Sequence, residues 1–438
     1  MSTSDWAEEA LTLLLDRVAR TDAEVGPRFP LHADPRTGHW TTTSRGSWTG
    51  GFWAGLLWLH ARRTTATAAG AATAESATAA DSATAPVSGA TAADSATAPE
   101  SAATAAGSAR APETGADSDS ATGADFAYDS ARAPETGADS DSDSATGADF
   151  AYDSAYDSAR AVTARLAPWV EADTVVRGLI LWYGTALADG EPAAGRLRER
   201  AARAVLDAWE PGAGVVPWGA ALGGARMRVR ADGAPGTVPL LASAGPDGER
   251  AAAAHLHRHL DLCLPDAAER PVPAWRFDAV ARQWAADDDP APGWARGEAW
   301  LLLAVADGLL RARTPVWRPK RLAEAAEVLL HQGGFLTGPP VPSAHADRPD
   351  GPVDTSAAAI GAVALLKLGY TDRAETVLRH LARAHLTRPG GPGPPGMLLD
   401  GCYDAHAGTA VRHELVWGDF FLALGLAALL GQADLTRV

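Results

Sequence analysis

Almost a hundred consecutive residues, from Arg63 to Arg160, are drawn nearly entirely from Ala, Thr, Ser, Asp, Gly and Pro, with aromatics only at Phe126, Tyr128, Phe150, Tyr152 and Tyr156. Such a stretch cannot bury enough apolar surface to offset the entropy of ordering it. It therefore reads as a disordered insert, and the fold has to be built from residues 1–62 and 161–438 as one domain. Two imperfect duplications lie inside it: ATAADSATAP at 77–86 and again at 90–99, and a longer unit at 108–129 that recurs at 130–153. Duplication of low-complexity sequence explains these better than a solenoid does, and the repeated Phe-Ala-Tyr-Asp elements read as solvated linker rather than docking motifs. A surface loop of this length is tolerable because closure entropy grows only logarithmically.

Charge follows the same division. The insert carries sixteen Asp or Glu against four Arg, which is twelve of the chain's sixteen net negative charges. The folded part is close to neutral, and nothing in it has the basic stripe of a nucleic-acid partner. Cys263 and Cys402 are too few and too far apart for a disulfide framework or a thiolate zinc site, which suits a reducing compartment. The first nine residues are acidic where a signal peptide is basic and then apolar, and no apolar run approaches a bilayer's span. These features lead us to expect a cytoplasmic protein with no membrane segment.

Outside the insert the apolar spacing is helical throughout, with no alternating strand pattern to compete. Trp6, Ala10, Leu11, Leu14, Leu15 and Val18 form one stripe of a first helix. Further helices are predicted at 48–61, 155–167, 173–188, 194–209, 235–244, 248–263, 293–312, 319–331, 354–368, 371–385 and 413–430. Twelve helices joined by alternating short and long connections imply six antiparallel hairpins, one helix of each in an inner ring and one in an outer ring. Residues 299–306 are apolar nearly all round and 357–366 are rich in Ala and Gly. Both patterns suit inner helices. Loops leading into the inner helices would then frame a concave polar pocket at one end of the ring.

Five stretches place Trp, Arg and carboxylates where a plain helical core would use Leu. They are SWTGGFW at 47–53, ADTVVRG at 172–178, WARGEAW at 294–300, DTSAAAI at 354–360 and ELVWGDFF at 414–421. In this order they resemble glycoside hydrolase family 88, the unsaturated glucuronyl hydrolases, and the related unsaturated rhamnogalacturonyl hydrolases. That resemblance implies an (α/α)6 barrel and a hydrolase that releases a 4,5-unsaturated uronic acid from the non-reducing end of lyase-generated oligosaccharides, by hydrating its vinyl ether. It further implies Asp232 as general acid/base, preceding the Pro239-Leu240-Leu241 helix, and Asp173 as a partner that binds substrate hydroxyls. Such an acid has to hold a proton near neutral pH, which an apolar or anionic setting favours.

Arg296 and Trp300 share a helix face and suit a sugar acid, guanidinium on carboxylate and indole on ring; an Arg packed on Trp beside an acid is the plain alternative. Trp48 and Trp294 are further stacking candidates, and Gln283 stands roughly where the family has a substrate-binding Gln. Asp173 also sits where a helix N-cap is wanted, with Arg177 four residues on. Asp232-Gly233 also makes an ordinary turn, and Asp354 reads first as a helix cap. His255, His257 and His259 alternate, so they do not share one helix face, and neither a metal nor a cofactor is expected.

Departures from the family pattern cluster near the site. The His before the first Asp is Ala172, the Gly-Phe after it is Val175-Val176, a second His is Pro273, and the Gln of the Trp-x-Arg-Gly-Gln stretch is Glu298. Two alternatives therefore stay open: a catalytically silent sugar-binding relative, and a conventional glycosidase or sugar epimerase on the same barrel.

Overall fold

The computed structural model describes residues 3–65, 147–266 and 268–438. Most of the insert, and the disorder expected of it, lies outside the described residues. Among the described residues twelve α-helices follow one another: α1 (Thr3–Val25), α2 (residues 50–65), α3 (Gly147–Ala164), α4 (Arg177–Ala186), α5 (Pro192–Asp207), α6 (Thr237–Ala242), α7 (Pro246–Cys263), α8 (Ala295–Arg311), α9 (Pro319–Gln332), α10 (Thr355–Lys367), α11 (Thr371–His380, continued by a π turn to His385) and α12 (Val416–Leu429). The even-numbered helices form the inner ring. Neighbours pack in the order α4, α6, α8, α10, α12, and α2 closes the circle, since Gly51 lies against Ile180 of α4 and Gly55 against Phe420 of α12. A Cβ on Gly51 would stand 2.2 Å from the Ile180 carbonyl oxygen, so only glycine permits this approach.

Inner helices are buried nearly all round, as the predicted composition of 299–306 and 357–366 requires: every residue of α8 from Ala295 to Gly308 and of α10 from Thr355 to Leu365 is buried. Outer helices keep the amphipathic pattern. In α1 the stripe from Trp6 to Val18 is between 0% and 4% exposed while the opposite face is open. Across the ring, Phe52 of α2 meets Trp300 of α8 with ring centroids 6.2 Å apart, and Tyr183, Phe420 and Phe421 pack around Phe52. The lumen is filled by aromatics.

Connections are strongly asymmetric. Those from outer to inner helices run 12 to 31 residues, whereas four of those from inner to outer run only three to seven. The exception is the insert, which leaves at Thr65, the C-terminal end of α2 and therefore the short-loop end. Its edges differ from the predicted 63–160. Helix α2 continues through Thr65, and α3 begins at Gly147, with Tyr156 edge-on to Trp58 at 5.8 Å and Ser158 donating to Asp22 at 2.5 Å. This is the helix predicted at 155–167, and the acidic, Ala-rich composition hid only its first two turns among their low-complexity neighbours.

The long loops also contain strands that the helical reading did not anticipate. β1 (Phe29–Ala33), β2 (Trp40–Thr43), β6 (Gly401–Asp404) and β7 (Thr409–Leu415) form an antiparallel sheet in the order β2-β1-β7-β6. β3 (Arg228–Arg230), β4 (Ala274–Asp278) and β5 (Gln283–Ala286) form a second. At three to seven residues each, they are too short to show clear alternation. Residues 413–415, predicted to start the last helix, belong to β7. Among the described residues no helix is long and apolar enough to cross a membrane.

Candidate functional site

At the N-terminal ends of the inner helices the long loops bring together most of the residues singled out from the sequence. Strand β3 delivers Arg230, and a 3-10 turn, Ala231–Gly233, delivers Asp232 two residues later. The guanidinium of Arg230 forks onto the carboxylate, Nε to Oδ1 at 3.1 Å and Nη2 to Oδ2 at 3.3 Å, and both side chains are a little under one-fifth exposed. This turn rests on two buried histidines of α7. Val216 N donates to His255 Nδ1 and His255 Nε2 donates to the Gly233 carbonyl, both at 3.2 Å, a pattern that fixes the neutral imidazole with its proton on Nε2. Burial holds His255 well below its ordinary range and brings His259, which reaches the Arg230 carbonyl, down to about 4. His257 instead faces the Trp317 carbonyl at 3.2 Å. The three histidines are thus supports, and among the described residues no group of three or more His, Cys, Asp or Glu could hold a metal ion.

Arg230 is the second rung of an arc in which indoles and guanidiniums alternate. Its Cζ lies 4.8 Å from the Trp218 ring and 5.9 Å from Trp294. Trp294 in turn lies 5.3 Å from Arg296, Arg296 lies 5.5 Å from Trp417, and Trp417 is 4.7 Å from Trp48. Each contact is of cation–π or aromatic type, and together they tie the loops before α2, α6, α8 and α12 into one rim. Trp48 is half-buried and donates from Nε1 to the Tyr403 hydroxyl at 3.2 Å.

Asp173 lies in a loop paired with the segment that follows Trp218. Its loop bridges Thr174 to Gly219, and a Cβ on Gly219, whose φ is +84°, would fall 1.9 Å from the Asp173 carbonyl oxygen. The expected cap is not formed: α4 starts at Arg177 with Val176 in the cap position and no side-chain cap bond. Asp173 instead accepts from Ala220 N and from Arg226 Nε, both at 3.2 Å, and is about half exposed. Arg177 turns inward to the carbonyls of Val170 and Thr174.

Three other sequence-selected residues do not occupy an open site. Trp300 is 1% exposed in the lumen plug, so no ring face is available to a sugar. Arg296 is buried and committed internally, to Asp354 at 2.6 Å and to the carbonyls of Cys402 at 2.5 Å and Tyr403 at 2.7 Å. The plainer reading, an Arg packed on Trp beside an acid, is what the structure contains. Gln283 is exposed and pairs with Asp278 beside the β4–β5 turn, whereas Arg230 pairs with Ala274 at the other end of β4. Four residues of strand, about 13 Å, separate the two ends.

In their architecture the described residues match the structures of three sugar-acid hydrolases. An unsaturated glucuronyl hydrolase specific for heparin superposes with a TM-score of 0.66 at 16% identity, covering 99% of both chains. The unsaturated glucuronyl hydrolase from Bacillus sp. GL1, responsible for the degradation of glycosaminoglycan, gives 0.65 at 18% over 97% of this chain and 96% of that one. The enzyme from Streptococcus agalactiae gives 0.64 at 16% over 99% and 93%. This chain shares their fold. Neither a family model nor a curated protein sequence matches it.

Against the unsaturated glucuronyl hydrolase fold, two parts of this chain had no sequence signal. Trp218, at the centre of the arc, lies in a Gly-rich stretch with no periodicity, and Arg230 was hidden in an Arg-Met-Arg-Val-Arg run that resembles an ordinary solvated strand. Three buried acids also carry shifted protonation. Burial pushes Glu298 up to about 7, against the opposing pull of Arg270 at 3.3 Å. It lines a cavity of about 250 Å³ between α8, α10 and the loop before α10, which lies apart from Asp232. Burial also pushes Asp419 well above the carboxylate range and Glu414 up to about 7, where Arg17 bonds Glu414 through two nitrogens at 3.1 and 2.8 Å.

Proposed function

We propose that this protein is a glycoside hydrolase that takes a 4,5-unsaturated uronic acid at the non-reducing end of an oligosaccharide and hydrates its vinyl ether. What supports it is the pairing of Asp232 with Arg230, whose guanidinium lies against Trp218 and Trp294, with the Asp173 loop bridged to the segment that follows Trp218, in the long loops of this barrel.

The chemistry follows from the electronics of the substrate. In a C4=C5 double bond bearing the ring oxygen on C5, oxygen donates into the π system, so protonation falls on C4 and the positive charge settles on C5. Asp232 gives the proton to C4. Its carboxylate then takes a proton from the water that attacks C5, so the acid is restored within one cycle. The C5 hemiketal opens by breaking the bond from C5 to the ring oxygen, which takes up a proton. The hemiacetal left at C1 expels the neighbouring sugar as an alcohol and becomes an aldehyde. Asp173 holds ring hydroxyls, and the half-buried Trp48 offers an apolar face to the sugar. This route needs one acid/base rather than two carboxylates flanking the anomeric carbon.

Loss of ultraviolet absorbance from an unsaturated uronyl disaccharide tests the proposal. Decay is expected with the wild-type chain and a fall of at least about a thousandfold with Asp232→Asn. A folded protein that leaves the absorbance of both glucuronyl and galacturonyl substrates unchanged would refute it and favour a sugar-binding relative.

A further inference from the structure

We infer that Arg230, rather than Arg296, receives the carboxylate of the sugar acid, and that in the free protein it latches Asp232 until that carboxylate arrives. The inference rests on the uronyl reading above and names the residue that carries its specificity.

A guanidinium presents two edges to a carboxylate, one through Nε and an Nη, the other through both Nη atoms. Arg230 uses only the first: Nε and Nη2 hold Asp232, and Nη1 has no acceptor among the described residues. Its plane is set by the indoles of Trp218 and Trp294, at 4.8 and 5.9 Å, so the second edge is already oriented. Arg296 offers no such edge. It lies in the same arc and is 4% exposed, and its Nη atoms already serve one carboxylate and two backbone carbonyls. The two arginines just before it in the chain are likewise occupied: Arg228, in the same strand, is held by Asp287 at 3.0 Å and by Asp289, and Arg226 by Asp173.

An incoming carboxylate takes the outward N–H groups of Nη1 and Nη2, which Asp232 does not use, and so places a second anion beside Asp232 on one guanidinium. Oδ2 of Asp232 then takes up a proton from water, ceases to accept from Nη2 and becomes the oxygen that carries this proton to C4, while the Nε to Oδ1 contact keeps the acid in place. The one bond formed is the O–H of Asp232, its proton coming from water and passing on to C4. The latch therefore couples recognition of the acid group to exposure of the catalytic oxygen, and a neutral sugar leaves it closed.

The discriminating substrates are an unsaturated uronyl disaccharide and its methyl ester, measured by kcat and KM, together with calorimetric binding of D-glucuronate. The wild-type chain should prefer the acid by about 100-fold in kcat/KM, the scale of a charged bidentate pair. In Arg230→Met the preference should shrink to within about threefold, largely through KM, and glucuronate binding should disappear. In Arg230→Lys, a point charge without the fork, about tenfold should remain. A folded Arg230→Met, or an Arg230→Lys, that keeps the full preference while turning substrate over would overturn this inference and leave the hydrolase reading intact. Arg230-dependent glucuronate binding without turnover of either substrate would do the reverse. Absence of both binding and turnover in the wild type would remove the two together.

Discussion

Two arginine–aspartate pairs flank the same indole, Trp294, and they differ in what is left over. In Arg296–Asp354 the acid is 1% exposed and caps α10 by accepting from Ser356 N at 3.0 Å, while the guanidinium also ties down two carbonyls of β6. Both partners are fully used, and the pair welds the start of α8 to the start of α10 and to the sheet. In Arg230–Asp232 the two side chains have no other hydrogen-bond partner among the described residues, the second edge of the guanidinium is open, and solvent reaches both. Residue type and proximity to Trp do not separate these cases. The number of donors already satisfied does.

The comparison breaks most visibly at Arg296. Its replacement by Met should cost about 3–5 kcal/mol in chemical denaturation, because Asp354 would be left charged and buried, whereas Arg230→Met should change stability by less than about 1 kcal/mol, as a part-exposed pair does. Equal effects would dissolve the distinction. Trp300→Ala should cost about 3–5 kcal/mol as well, by emptying the lumen, with Trp48→Ala clearly milder; the same denaturation curves decide.

A smaller effect sharpens the contrast through Glu298, two residues from Arg296 but facing only the half-exposed Arg270. Its carboxyl keeps its proton up to about 7 in the fold, against an ordinary 4.5 when unfolded. Between those values the native state holds more protons, so stability should be highest near and below the lower one, fall through the window and level off above it. Glu298→Gln should remove that fall, gaining on the wild type by about 1–3 kcal/mol between about pH 4.5 and pH 8. A parallel pair of stability profiles would count against it.

The smallest effect is expected at the insert. Replacing residues 66–146 by a short Gly/Ser linker should move the melting temperature by no more than about 2 °C and leave kcat/KM within about twofold. Extending the deletion to Ser158 should lower it by several degrees, since that removes the Tyr156 contact with Trp58 and the Ser158 bond to Asp22.

What could be read in advance followed from periodicity. The helices and their hairpin pairing rest on apolar spacing, which burial then enforces, and Asp354 was recognisable as a cap from Asp-Thr-Ser before an Ala run. What escaped was whatever depends on long loops meeting in space. Trp218, Arg230 and the two small sheets come from segments without periodicity, joined through register and through the glycine contact at residue 219. Arg296 and Trp300 share a helix face, as their spacing requires. Nothing in that spacing says that the face is closed off by α12, β6 and the aromatics of α2.

The contact between Phe52 and Trp300 has a consequence for traffic. Helices from opposite sides of the ring touch through it, so the barrel has a dead end and nothing can thread along its axis. A polymer could present only a terminus to the loop-bearing end, never an internal stretch passing through the ring. Whatever enters there must back out by the same route, and has to clear the doorway before the next chain end can come in.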